Sequence, residues 1–90
     1  MKDTLKGLSL LEEKNLSKVV GLKQTLRAIQ NDLAKEVFVA NDADIRIINQ
    51  VISVAKEKNI KVNKVDTMEE LGKAANIRVG AATLAIVENN

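Results

Sequence analysis

Apolar residues in this chain recur at two different periods, three-to-four spacings that suit helices and short near-continuous runs that suit strands, and the two kinds alternate. Thr4 to Lys14 places Leu5, Leu8 and Leu11 three residues apart, which predicts a short amphipathic helix ending near Asn15. Ser17 to Gly21 reads as a short strand, and a second helix follows from Leu22 to about Asp32. Its stripe of Leu22, Leu26, Ile29 and Leu33 is expected inside, leaving Lys23, Gln24, Arg27 and Asn31 outward. Glu36 to Ala40 is a continuous β-rich run suited to a sheet covered on both faces. Asn41-Asp42-Ala43-Asp44 is a helix-capping sequence, and the helix it opens runs to about Lys58 with Ile45, Ile47, Ile48, Val51, Ile52, Val54 and Ala55 over a wide apolar face.

Asn59 closes that helix, and Lys61 to Val65 alternates polar and apolar as a strand nearer an edge does. Thr67-Met68-Glu69-Glu70 matches a capping box and starts a fourth helix to about Ala75, with Asn76 suited to a left-handed position just past its end. Ala82 to Val87 is a last, apolar strand. Strands alternating with helices at these lengths predict an α/β fold, a three-layer α/β/α sandwich around a short mixed sheet of about four strands.

Ninety residues with 46% hydrophobic content suit one domain and one core. Fourteen Lys and Arg against 12 Asp and Glu leave a net of +2, so a nucleic-acid role has to rest on a local patch. The chain has no Cys and no His, which removes the thiolate nucleophile, the imidazole base and the usual zinc or iron ligand sets; neither a metal nor another cofactor is implied. Phe38 is the only aromatic residue and lies in an apolar run, so single-strand binding on stacked aromatics has no platform. The Asn41 to Asp44 cluster lacks the downstream acidic ligand of a calcium loop, and helix capping accounts for it better. No apolar run approaches the ~20 residues that span a bilayer, and the charged start at Lys2, Asp3 and Lys6 is not a signal sequence. The expectation is a cytoplasmic monomer without a membrane partner.

Val19-Val20-Gly21-Leu22-Lys23-Gln24-Thr25-Leu26-Arg27 carries the most chemistry. A strand ending in glycine runs into a helix whose first turn is polar and basic, so unpaired backbone N–H groups and the positive end of the helix dipole face outward together. Lys23 and Arg27, four residues apart, share one face. Gly21 has no Cβ to hold a phosphate backbone away. Taken alone, such a basic stripe is more often a solvated helix face than a binding site.

Three patterns in this order resemble the ribosomal-protein family of kink-turn RNA binders, the L-seven-Ae and L-thirty-e proteins, and most of all its small bacterial members of the YbxF type. They are Val20 to Arg27, Val39-Ala40-Asn41-Asp42-Ala43-Asp44, and Leu71-Gly72-Lys73-Ala74-Ala75-Asn76-Ile77-Arg78-Val79-Gly80, and the likeness runs through roughly residues 5 to 88. The resemblance implies a non-catalytic protein whose second helix docks in the widened major groove of a sharply bent RNA, at tandem sheared G·A pairs beside a three-nucleotide bulge. Ordinary A-form RNA has too narrow a major groove for this, so shape is read before base edges. Carried over by position, Gly21, Leu22, Lys23, Gln24, Thr25 and Arg27 form the groove contact, with Lys23 and Gln24 standing where archaeal members usually have Asn and Glu, and Arg27 where they have Lys. Ile77, Arg78, Val79 and Gly80 form the loop whose two aliphatic side chains shelter an extruded nucleotide, and Asp44 falls where some members touch that base. The implied partner is structured RNA containing a kink-turn, in ribosomal RNA, a riboswitch or another transcript. A protein-interaction module on the same fold, with only non-specific RNA affinity, is the alternative; an enzyme ranks third, because no nucleotide loop or paired-carboxylate constellation stands out.

Overall fold

The computed structural model of the protein describes residues 16–88, and the helix expected over Thr4 to Lys14 lies outside them. The elements are β1 (Leu16–Val20), α1 (Leu22–Gln30), β2 (Ala34–Ala40), α2 (Ile45–Glu57), β3 (Lys61–Val65), α3 (Met68–Ala74) and β4 (Thr83–Glu88). The strands form one mixed sheet in the order β1-β4-β2-β3. β2 pairs parallel with β3 and antiparallel with β4, and β4 pairs antiparallel with β1, so β1, β2 and β3 point one way and β4 is threaded between two of them.

That order decides where the helices lie. The steps from β1 to β2 and from β2 to β3 cross the sheet in the same direction, so two crossovers of the same hand place α1 and α2 on one face, where they pack against each other. α3 lies on the other face. Side-chain alternation along the strands divides the core accordingly: Val37, Val39 and Ala85 meet Ala28, Ile29, Ile48, Val51 and Ala55, while Phe38, Ala40, Val65, Leu84 and Ile86 meet Leu71 and Ala75. The expected α/β architecture with helices on both sides of a four-stranded mixed sheet is the one observed.

Three helices end without a glycine. Asp32, Asn59 and Asn76 take φ values of 60°, 58° and 63°, each just past a helix, and the next residue's amide closes a six-residue ring to the helix: Leu33 to the Ala28 carbonyl, Ile60 to Ala55 and Ile77 to Gly72, at 2.9, 2.9 and 3.0 Å. Asn and Asp are the side-chain-bearing residues that tolerate this left-handed region best. The expectation at Asn76 holds, and the same device stops α1 at Gln30, two residues before the expected Asp32.

Two burial expectations on α1 are corrected. Its inward stripe is Thr25, Ala28 and Ile29, with Leu22 and Leu26 half-buried at its margin. Leu33, expected inside, is 46% exposed because the left-handed turn at Asp32 takes it off the helical stripe.

Candidate nucleic-acid interface

Because β1, β2 and β3 are parallel, their C-terminal ends share one edge of the sheet with the start of β4. The β1–α1 junction, the loop 41–44, the β3–α3 turn and the segment 75–82 all meet there. They are tied by backbone hydrogen bonds: the Gly21 amide to the Thr83 carbonyl at 3.0 Å, Ala40 to Ala82 at 2.9 Å, Asn41 to Val65 at 2.7 Å and Ala81 to Met68 at 3.0 Å.

Gly21 is the N-cap of α1, with φ 104° and ψ 159°, a conformation that in practice only glycine adopts. A Cβ there would find nothing within 4 Å, so the backbone angle demands the glycine and the space beside it is open to a partner. The first helical bond runs from the Thr25 amide to the Gly21 carbonyl at 2.9 Å, which leaves the amides of Leu22, Lys23 and Gln24 without an intrahelical acceptor.

The three helix starts are treated differently. In α2 the Asp44 carboxylate accepts the Arg46 amide at 2.9 Å. In α3 the Thr67 hydroxyl accepts the Glu70 amide at 3.0 Å, as a capping box requires, and Asp42 reaches across from its loop to accept the Met68 amide at 2.8 Å. α1 has no side-chain cap and no acidic residue in its first turn. Among the described residues it is therefore the one helix whose positive end faces outward uncompensated.

Several cations away from the start of α1 are engaged in ion pairs. At the opposite end of the sheet Lys58 pairs with Asp32 at 3.0 Å, Lys35 with Glu88 at 3.1 Å and Lys61 with Glu36 at 3.7 Å. Lys23 in the first turn of α1, Arg27 one turn further along and Arg78 in the loop 77–80 are exposed and form no ion pair among the described residues.

Of the residues placed at the interface by the resemblance, Lys23, Gln24 and Arg27 are exposed on α1 and Arg78, Val79 and Gly80 on the loop. Val79 is 71% exposed, the most exposed large apolar side chain among the described residues. Ile77 is half-buried and packs against the core near Leu71 and Ala75, so the aliphatic rim is mainly Val79. Leu22 is also half-buried and offers its amide rather than its side chain. Thr25 requires a correction: it is fully buried, its Oγ1 lies 3.1 Å from Thr83 Oγ1, and its side chain is not available to a ligand. Helical geometry explains this, since Thr25 lies between Leu22 and Ile29 on the inward face while Lys23, Gln24 and Arg27 go round the other way.

Asp44 is exposed but engaged. Its Oδ1 accepts from the Arg46 backbone and Nε, and its Oδ2 from Nη2 at 2.7 Å. The guanidinium beside it, and secondarily the amide, hold its carboxyl below the usual 3.8, and the same contact raises Arg46.

Two positioning residues are not apparent from sequence. Thr83 fastens the start of α1 to β4 through both its carbonyl and its hydroxyl; the only signal is a hydroxyl residue inside an otherwise apolar strand. Asp42 joins the α2 loop to α3, although its neighbours suggest local capping. The loop 77–80 is seated tightly as well. A Cβ on Gly72 would collide with the Val79 carbonyl oxygen, and one on Gly80 would come within 3.1 Å of Met68 Cβ. The arrangement is thus an open helix N-terminus with exposed cations on one face of the sheet and an exposed valine in a loop seated on α3 on the other, joined through the strand ends between them.

The sequence pattern of the ribosomal protein L7Ae/L30e/S12e/Gadd45 family matches residues 5–90. The chain belongs to this family. Among relatives, it is 54% identical over 69 residues to the RNA-binding protein YbxF of Geobacillus stearothermophilus, a match covering 77% of this chain and 84% of the relative. A protein of Staphylococcus aureus described as RNA-binding is 34% identical over 70 residues, covering 78% of this chain and 83% of its own. The L7Ae-type fold recurs in a Giardia lamblia structure titled 15.5kD RNA binding protein, with a TM-score of 0.78 at 23% identity over 97% of this chain and 69% of that one. A Bacillus halodurans protein of unknown function superimposes with a TM-score of 0.75 at 22% identity, covering 96% and 82%.

Proposed function

We propose that this protein binds RNA without catalysing a reaction, and that the RNA it selects is a kink-turn. The observation that carries this reading is the uncapped start of α1, where three free amides and the dipole's positive end sit beside Lys23, with Arg27 one turn further along, while the other two helix starts are closed by Asp44, Thr67 and Asp42. An anionic partner completes that site, and the open space beside Gly21 admits a partner as bulky as a nucleic-acid backbone. Membership of the L7Ae family, and relatives that are named RNA-binding, make RNA the anion of choice.

Within this reading Lys23, Gln24 and Arg27 meet base edges and phosphates in a widened major groove. Gln24 offers both donor and acceptor, and the two cations reach guanine O6 and N7 or phosphate. Val79 shelters an extruded nucleotide, with Ile77 behind it, Arg78 giving charge and Gly80 close approach. No aromatic platform takes part, since Phe38 is wholly inside. The protein acts as a monomer that selects the bent form from an ensemble of RNA shapes.

Titration into a duplex with a three-nucleotide bulge and tandem G·A pairs, against one in which those pairs are Watson–Crick, tests the proposal. Strong preference for the first is expected, and equal affinities reject it. Lys23→Ala and Arg27→Ala each weaken binding by ~1 to 3 kcal/mol with the helical signal intact.

A further inference from the structure

Arg46 takes no part in the contacts proposed so far, yet it stands on the same rim. It is the second residue of α2, as Lys23 is of α1, and the two helices lie side by side with their starts at one edge of the sheet. The two helices pack against each other, so both second positions stand at the same edge of the sheet. The Arg46 side chain turns back to Asp44, off the end of α2 and toward the loop edge, and it is 88% exposed.

The pair is unusual in what it leaves unspent. A guanidinium has five N–H donors, of which Nε and one Nη2 hydrogen go to Asp44, so three remain. The carboxylate offers about four acceptor positions and three are taken by the Arg46 amide, Nε and Nη2. An ion pair so open to water contributes little to stability. Its effect is on shape: the contact biases a long flexible side chain toward one orientation with its free donors outward, so part of the rotamer entropy is lost before any ligand arrives.

We propose that Arg46 is a further RNA contact, a pre-set arm that gives its outward N–H groups to a backbone phosphate while Asp44 grips the other edge of the guanidinium. This rests on the RNA-binding reading above and extends its surface from α1 to α2. Asp44 then serves the interface through Arg46 more than through a base.

The test uses the full chain and the two duplexes above, titrated between about 50 and 200 mM salt, where phosphate contacts show in the slope of log affinity against log salt. Arg46→Gln is expected to weaken binding on the order of ten-fold and to flatten that slope by about one unit, with unchanged circular dichroism. Arg46→Gln is also made beside Asp44→Asn, because losing Arg46 alone exposes a bare carboxylate to the RNA. If the effect of Arg46→Gln on affinity and slope persists in the Asp44→Asn background, Arg46 touches phosphate. If it disappears there, Arg46 only neutralises its neighbour and the proposal is overturned, as it is if Arg46→Gln changes nothing. Equal binding of both duplexes by the unaltered protein refutes the kink-turn reading while leaving the slope comparison decisive for Arg46. Absence of all RNA binding removes both.

Discussion

Replacing Gly21 by alanine separates what the backbone demands from what a partner demands. At φ 104° and ψ 159° an L-residue is strained by about 1 to 3 kcal/mol, and no clash adds to this because nothing lies within 4 Å of the new methyl. The restricted unfolded chain returns about 0.4 to 1 kcal/mol, so a net loss near 1.5 kcal/mol is expected, or a melting temperature lower by about 6 to 12 °C in a domain of this size. Urea denaturation at fixed ionic strength measures the first quantity through the midpoint, with the slope unchanged. Titration of the kink-turn duplex well below the melting range, where the variant is still almost wholly folded, measures the second. Affinity is expected to fall by at least ten-fold there, because the methyl occupies the space proposed for the RNA backbone. Unchanged stability refutes the claim that conformation selects the glycine. A stability loss with unaltered affinity refutes close approach at this position and moves the groove contact further along α1.

The remaining predictions concern the support of the site and its electrostatics. Thr25→Val leaves the buried Thr83 hydroxyl without its partner and costs about 1 to 3 kcal/mol, and Thr25→Val with Thr83→Val recovers most of that loss; additive losses in a denaturant double-mutant cycle disprove the coupling. The Asp44 carboxyl is held below its ordinary value in the folded protein, so its contribution to stability is present above pH 4 and is lost as pH falls through the lowered value. Asp44→Asn therefore flattens the stability profile below about pH 4 and leaves its slope near pH 7 unaltered; an identical acid limb in both proteins contradicts that assignment.

Much of the secondary structure is written locally, which is why it can be read without coordinates. The bounds of β3 match the run Lys61 to Val65 read from the sequence, Asp44 and Thr67 are recognisable as caps, and Asn76 as a left-handed stop, because each cap and stop is decided by residues within one turn of itself. Burial is harder. Helical spacing puts Thr25 on the inward side of α1, but what engages its hydroxyl is decided only when Thr83 arrives from 58 positions away, and Leu33 fits the apolar stripe until the φ of Asp32 takes it away.

By itself, then, the sequence determined the kinds of element, their order, the absence of histidine, cysteine and an exposed aromatic platform, and a glycine followed by a basic first turn. Tertiary structure decided that β4 inserts between β1 and β2, and that insertion brings Thr83 and the segment before it to the start of α1. It also turned Asp42 to the start of α3, 26 positions along the chain. The physical reason is range: periodicity and capping are satisfied within a few residues, whereas strand insertion and charge pairing depend on segments that meet only when the sheet closes over its two cores.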